Sequence, residues 1–186
     1  MVSQIKVDSV LESSSGNGVT IDGVLLKDNK LASGTGNVLQ VVNATDSASS
    51  NGGSPPRYGA QITSSSFTDT ALSASITPSA TSSKILILVR QNPLTYAPGK
   101  IPFADYQLLR ASTAIDIASA GMKADDHPSD NNAYIADSFS FCTLDSPSST
   151  SSITYKTQAK FAGSGAGYIT TAYYGDEHIQ LIEIGG

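Results

Sequence analysis

The chain has 186 residues, a net charge of −5 at pH 7 and a sequence pI of about 4.8. It has no lysine or arginine cluster, which argues against sequence-independent nucleic-acid binding, because such binding needs a basic surface. No apolar stretch is long enough for a membrane span or a signal-peptide core, so we expect a soluble protein made in a cytoplasm.

The first part of the chain is predicted to form short strands separated by glycine-rich turns. Asp22-Gly23 is the signature of a two-residue hairpin, and residues 27–30 predict a further turn. Strands this short cannot enclose a core, so their apolar side chains need another copy of the chain or a larger surface to pack against. The residues expected to pack in this way are Ile5, Val7, Val10, Leu11, Val19, Ile21, Val24, Leu25 and Leu26.

The next part divides the chain. Residues 38–42, VLQVV, predict a strand, whereas residues 46–56, DSASSNGGSPP, have the composition of a long loop or hinge. We therefore predict three parts: an N-terminal β arm for attachment or trimerisation (1–45), a flexible linker or long loop (46–59) and a β-sandwich body (60–186).

The longest apolar run, ILILV at residues 85–89, dominates the body. It follows a turn at residues 77–83 that contains Pro78, so the two flanking strands are expected to form a hairpin or a corner between sheets. A short apolar run bounded by turns is typical of a strand buried on both faces. We expect Leu86 and Leu88 to face one sheet surface and Ile85, Ile87 and Val89 the other, all largely buried.

The remaining body continues the strand pattern without a capped helix. Residues 152–161 alternate cleanly, with Ile153, Tyr155, Thr157, Ala159 and Phe161 on one face. About eight strands are predicted from residue 38 onward, and their apolar runs argue against a disordered chain. The fold class is therefore predicted as all-β: an antiparallel, jelly-roll-like β-sandwich body with a short glycine-punctuated N-terminal β arm.

Catalytic and cofactor motifs are absent from the sequence, so we predict a protein that is not an enzyme and has no cofactor. His127 and His178 lie far apart in the sequence, and His178 is predicted to be a structural hydrogen-bonding group. The single cysteine, Cys142, excludes an intrachain disulfide and, beside aromatic residues, predicts a small buried side chain. The weak candidates for a metal site, better explained as a solvated acidic loop than as Ca²⁺ ligands, are Asp125, Asp126 and Asp130.

The tyrosines are more informative, because the chain has eight and no tryptophan. Exposed aromatic rings beside polar groups suit a saccharide, but tyrosine also packs well within sheets and interfaces. Packing within the core or an interface is the favoured interpretation, and glycan contact is the alternative. The candidates in or next to loops are Tyr96, Tyr134, Tyr168, Tyr173 and Tyr174.

Several phrases of the sequence carry a resemblance to a known family. ITPSATSSKILILV, YQLLRASTAI, LDSPSSTSSITYKTQ and HIQLIEIGG are similar to the C-terminal β-domain of fibre proteins from marine and cyanobacterial tailed bacteriophages. IKVDSVLESSSGNGVTIDGVLLKDNKL resembles the shaft and base repeats of the same fibres. The resemblance implies an all-β homotrimer displayed on the virion surface after synthesis in the host bacterial cytoplasm, with other virion proteins as partners. The copy number of three comes from this resemblance.

The chain departs from tail fibres because it has room for neither a long shaft nor a tail-attachment domain. This favours a capsid decoration or short head fibre, docked through the arm. The alternative is a receptor-binding tail-fibre module that contacts a bacterial surface glycan.

Overall fold

A computed structural model of the chain describes residues 19–21, 24–27, 30–31, 36–46, 61–98, 103–120, 132–136, 138–163, 166–173 and 175–186. Within these ranges every regular element is a β-strand, which confirms the all-β prediction. The strands before the body are β1 (Val19–Ile21), β2 (Val24–Lys27) and β3 (Lys30–Leu31). The strands of the body are β4 (Val38–Asp46), β5 (Gln61–Ile62), β6 (Thr68–Ile76), β7 (Lys84–Gln91), β8 (Leu94–Pro98), β9 (Ala104–Arg110), β10 (Thr113–Ala120), β11 (Asn132–Ala136), β12 (Phe139–Asp145), β13 (Ile153–Phe161), β14 (Tyr168–Thr170) and β15 (Glu177–Ile184).

The N-terminal strands form a small antiparallel sheet in the order β1-β2-β3. Ile21 pairs with Val24 and Lys27 pairs with Lys30, so a two-residue connection joins each pair of strands. The antiparallel pairing expected on either side of the two predicted turns is thereby present, whereas residues 22–23 and 28–29 themselves lie outside the described part of the chain. The packing of side chains before residue 36 lies outside the described part of the chain, as do Ile5, Val7, Val10 and Leu11 altogether.

The body is a jelly roll made of two four-stranded antiparallel sheets. The order β12-β7-β15-β4 forms what we call the first sheet, and β10-β9-β13-β6 forms the second sheet. Successive strands of these two sheets alternate between the first and the second, except that β9 and β10 are neighbours in the second sheet. This order is the double Greek-key arrangement of a jelly roll. The turn at Pro78 joins β6 of the second sheet to β7 of the first, so it is the predicted corner. A third sheet, β11-β8-β14-β5, is called the end sheet.

The predicted boundary between arm and body is wrong by one strand. The predicted arm, residues 1–45, includes nearly all of β4, but this strand forms the edge of the first sheet, where Val42 pairs with Leu181 of β15. Alternate residues of β4, Val42 and Ala44, pack against the core, so the strand has the inward face of a sandwich member. The body therefore includes residue 38, and residues 47–60 lie outside the described part.

The core lies between the first and second sheets, and β7 shows how the sequence builds it. Ile85, Ile87 and Val89 point inward and are at most 2% exposed. Leu86 and Leu88 point to the opposite surface, as predicted, but they are only half-buried. The expectation of burial on both faces is wrong here, because nothing in the described part of the chain covers the outer surface of the first sheet. In the second sheet, β13 has the predicted alternation, and Tyr155, Thr157, Ala159 and Phe161 are buried.

Two glutamates lie on the inward face of β15, although the sequence analysis above does not predict them there. Glu177 and Glu183 lie at the two ends of the strand and share a face with Ile179 and Leu181. The Glu183 carboxylate accepts hydrogen bonds from the Ser79 amide (2.7 Å), the Ser79 hydroxyl (2.6 Å) and the Gln40 amide nitrogen (2.6 Å). Burial raises the pKa of Glu183, but these hydrogen bonds outweigh it and lower the pKa to about 2. Glu183 thereby fixes the corner between β6 and β7 to the last strand.

Candidate functional site: a tyrosine ladder and a two-part sheet face

The end sheet brings three of the five candidate tyrosines together. Tyr134 of β11 and Tyr168 of β14 both pair with Tyr96 of β8, so the three residues form one row across the sheet. The ring of Tyr96 lies 4.7 Å from the ring of Tyr134 and 4.9 Å from that of Tyr168, measured between centroids. Tyr134 is 58% exposed and the other two are half-buried. We call this row the tyrosine ladder.

The local sequence explains why the ladder faces outward. Strand residues alternate between faces, and Thr95 and Ala97, on either side of Tyr96, are buried. Gly167 permits the close approach of β14. A Cβ atom there would overlap both the carbonyl oxygen of Tyr96 and the ring of Phe161. A larger residue at position 167 would therefore displace the strand that carries Tyr168.

The other candidate residues do not join the ladder. Tyr173 follows β14, and its backbone N–H donates to the carbonyl oxygen of Asn92 (2.8 Å). Nδ1 of His178 lies 3.1 Å from the hydroxyl of Thr45, which confirms its predicted hydrogen-bonding role. The candidates outside the described residues are Tyr174, Asp125, Asp126 and Asp130.

The outer surface of the first sheet has an apolar part. Leu144, Leu86, Ile182 and Val41 are partners on the four adjacent strands, so their side chains form one continuous line that we call the apolar row. Leu144 and Val41, at its two ends, are 53% and 57% exposed. Val38, at the start of the same edge strand, is also exposed. Aliphatic side chains in a line across a sheet face form the kind of surface that usually packs against another protein.

The remainder of the same surface is concave and carries several polar side chains. Two neighbouring rows, Cys142–Leu88–Gln180–Asn43 and Ser140–Arg90–His178–Thr45, cross the four strands. Seven of these residues line a groove of about 570 Å³, to which Thr45 does not contribute. We call it the polar groove.

The structure corrects the prediction for Cys142, which is exposed in the groove. Its neighbour Phe141 takes the inward position and is 4% exposed, so the alternation of the strand places residue 142 outside. The aromatic neighbours of Cys142 in the sequence therefore predicted its burial incorrectly, whereas alternation along β12 predicts its exposure correctly.

A buried polar cluster lies where the first sheet meets the end sheet. The Glu177 carboxylate accepts from the backbone N–H groups of Asn92 (3.0 Å) and Ala172 (2.9 Å) and from the Gln91 side-chain amide (3.2 Å). Burial raises the pKa of Glu177, and Asp46, its partner on β4, raises it further, while the three hydrogen bonds lower it only in part. This glutamate organises the two turns that lead into and out of the end sheet.

Among the residues that the structure describes, no three histidine, cysteine or acidic side chains are grouped so that they could bind a metal ion. In the same ranges no helix is long and apolar enough to cross a membrane.

The sequence matches no protein-family profile and no curated protein. Solved structures with some similarity include the VP2 subviral particle of infectious bursal disease virus (14% identity, 95% of this chain, 41% of that chain, TM-score 0.42). Another is latent dimeric PorU from Porphyromonas gingivalis (9% identity, 83% of this chain, 14% of that chain, TM-score 0.48). A third is the insecticidal delta-endotoxin Cry8Ea1 from Bacillus thuringiensis (14% identity, 70% of this chain, 20% of that chain, TM-score 0.37). The chain spans less than half the length of each of these proteins. Similarity at this level carries no argument about function.

Proposed function

We propose that this chain is a non-enzymatic structural protein of a bacteriophage virion, the subunit of a trimeric surface appendage such as a capsid decoration or short head fibre. The observation that supports the proposal best is the apolar row. Exposed aliphatic side chains in a line across a sheet face are stabilised when a second protein surface removes them from water. Closed symmetry lets the same row on each copy supply that surface.

The position of the row also links it to the arm. Val41 and Val38 lie on β4, which is an edge strand and the first body strand after β1-β2-β3. An edge strand with exposed valines favours association with another chain. We propose that the arm, packed through its predicted apolar residues, docks the trimer on other virion proteins and that the sandwich faces outward. The protein would then be made in the host bacterial cytoplasm and end at the virion surface.

The assembly is tested by the mass of the purified protein in solution at micromolar concentration. We expect the wild-type chain to have the mass of three copies and the Val41→Asp variant to be a monomer, because a carboxylate buried in an apolar contact is costly. The matched control is Ile117→Asp on β10 of the second sheet, where the isoleucine is 64% exposed, and this variant should remain a trimer. A monomeric wild-type protein would refute the trimer.

Removal of residues 1–35, which leaves β4 intact, separates the subunit contacts made by the arm from those made by the sandwich. If the truncated protein remains a trimer, the subunit contacts lie in the sandwich and the arm serves to attach the trimer to the virion. A reconstruction of the whole particle that shows the chain absent from the virion surface would contradict the proposed location.

The tyrosine ladder favours a second candidate function, contact with a bacterial surface glycan. Tyrosine rings offer a flat apolar face together with a hydroxyl, which matches the two kinds of surface on a sugar ring. The exposed ring of Tyr134 continues across Tyr96 to Tyr168, and a platform of that width suits more than one sugar unit.

Titration with neutral oligosaccharides prepared from bacterial surface polysaccharides tests this function. Tyr134→Ala should weaken binding about tenfold, the loss expected for an aromatic contact worth about 1.4 kcal/mol. Tyr134→Phe is the matched control, because it keeps the ring and should bind nearly as well as the wild-type protein. If none of the oligosaccharides binds, or if both variants bind equally, the ladder has a packing role.

A further inference from the structure

The polar groove on the first sheet has a charge opposite to that of the whole protein. The chain has a net charge of −5, yet the described lining residues of the groove include the cation Arg90 and no aspartate or glutamate. The ion pairs between described residues use Arg110, Lys156 and Lys160, and none of them involves Arg90. An exposed guanidinium in a concave site attracts an anionic group.

The groups around Arg90 define the shape of that ligand. Arg90 lies between Ser140 and His178 in its row, and Gln180 and Asn43 add amide groups from the neighbouring row. A guanidinium presents two parallel N–H groups that match a carboxylate. The hydroxyl and the two amides both donate and accept hydrogen bonds, as recognition of sugar hydroxyl groups requires. The half-buried side chain of Leu88 supplies an apolar surface in the same groove.

An extended acidic peptide fits this groove less well. Peptides that bind to sheets usually add a strand to an exposed edge, where backbone groups are free. The groove crosses all four strands of the first sheet, and its central strands, β7 and β15, are each paired on both sides. Recognition at its centre must therefore come from side chains, which favours a ligand that presents hydroxyl groups.

We propose that the polar groove binds an acidic saccharide, with the sugar carboxylate on Arg90 and the hydroxyl groups on Ser140, Asn43 and Gln180. The site is separate from the tyrosine ladder, where no cation lies within the row. The apolar row runs directly beside the groove on the same sheet face, so binding requires that the trimer contact proposed for that row leaves the groove open. A particle could in this way be selective for bacterial surfaces that carry uronic or sialic acids.

The only cysteine of the chain reports directly on this groove, because Cys142 lies in its wall. We would measure the rate of Cys142 alkylation in the full-length protein, alone and with oligosaccharides that contain glucuronate, galacturonate or sialic acid. At least one of them should slow the reaction, and neutral oligosaccharides of the same length should not. In calorimetry, Arg90→Ala should bind the same acidic oligosaccharide at least about 10-fold more weakly than the wild-type protein does. This is the loss of affinity expected when a charge-assisted hydrogen bond is removed. The control Lys84→Ala removes an exposed cation at the far end of the same strand and should bind like the wild-type protein.

Four results would overturn the proposal. Cys142 that is unreactive in the free protein would mean that another subunit covers the groove. Absence of protection and of heat with all three acidic sugars would show that no such site exists. Equal protection by inorganic phosphate would reduce the site to a general anion site, and equal protection by neutral sugars would remove the role of Arg90. The first result concerns the assembly, and the masses of the wild-type protein and of Val41→Asp identify it. The other three results are independent of the copy number, so failure of the sugar site is distinguishable from failure of the trimer.

Discussion

Replacing Ile87 by alanine should lower the free energy of unfolding by about 2–5 kcal/mol. Ile87 is fully buried in the middle of β7, where its strand partner Leu181 is also fully buried. Truncation removes apolar contacts and leaves a cavity between two sheets that hydrogen bonds hold in place, so the site cannot collapse easily. The measurement is urea unfolding followed by circular dichroism, at one protein concentration because association adds to apparent stability.

Ile117→Ala is the matched control for Ile87→Ala. It makes the same chemical change at a residue that is 64% exposed, and its effect should stay within about 0.5 kcal/mol. A loss below that value at Ile87 would mean that β7 does not contribute to the core.

Replacing Glu177 by alanine should have a comparably large effect, on the order of 3 kcal/mol, although the residue is polar. Its carboxylate accepts hydrogen bonds from two backbone N–H groups, of Asn92 and Ala172, and from the Gln91 amide. Truncation leaves these buried donors without an acceptor, at a cost of about 1–3 kcal/mol for each donor that water cannot reach.

Glu177→Gln separates the acceptor from the charge. The glutamine keeps an oxygen for the two backbone donors, and rotation of the Gln91 amide can present its oxygen to the new NH₂ group. We expect the loss at pH 7 to stay below about 1 kcal/mol, because an uncharged hydrogen-bonded pair avoids the desolvation of a carboxylate. A loss in the glutamine variant as large as that in the alanine variant would show that the negative charge itself stabilises the fold.

The pH dependence of the wild-type protein provides a second test of Glu177. Burial raises its pKa in the folded protein, so its protonated form contributes stability below the ordinary carboxyl pKa, and this contribution is lost as pH rises through the folded-state pKa. Asp46 has a pKa raised by burial and by Asp176, and it acts in the same direction. The stability of the wild-type protein relative to Glu177→Gln should therefore fall as the pH rises above the ordinary carboxyl pKa of about 4. A rise of this relative stability with pH would contradict the raised pKa.

Alternation along single strands was predictable from the sequence by itself. The pattern of residues 152–161 gave the inward face of β13, and Asp22-Gly23 gave a two-residue connection, because both depend on neighbours within a few positions. The same rule places Glu177 and Glu183 inward beside Ile179 and Leu181. Alternation along the strand therefore predicts that both glutamates are buried, even though glutamate is a polar residue.

Other features were decided by the tertiary structure. Tyr134, Tyr96 and Tyr168 are far apart in sequence, and the pairing of three strands brings them into one row. Whether Leu86 is covered depends on which layer lies over its sheet, and whether β4 belongs to the arm depends on its pairing with β15. Strand pairing joins residues separated by any length of chain, and its register depends on packing across the whole sandwich. The sequence therefore determined the face to which each side chain points, whereas only the fold determined which surfaces those faces form.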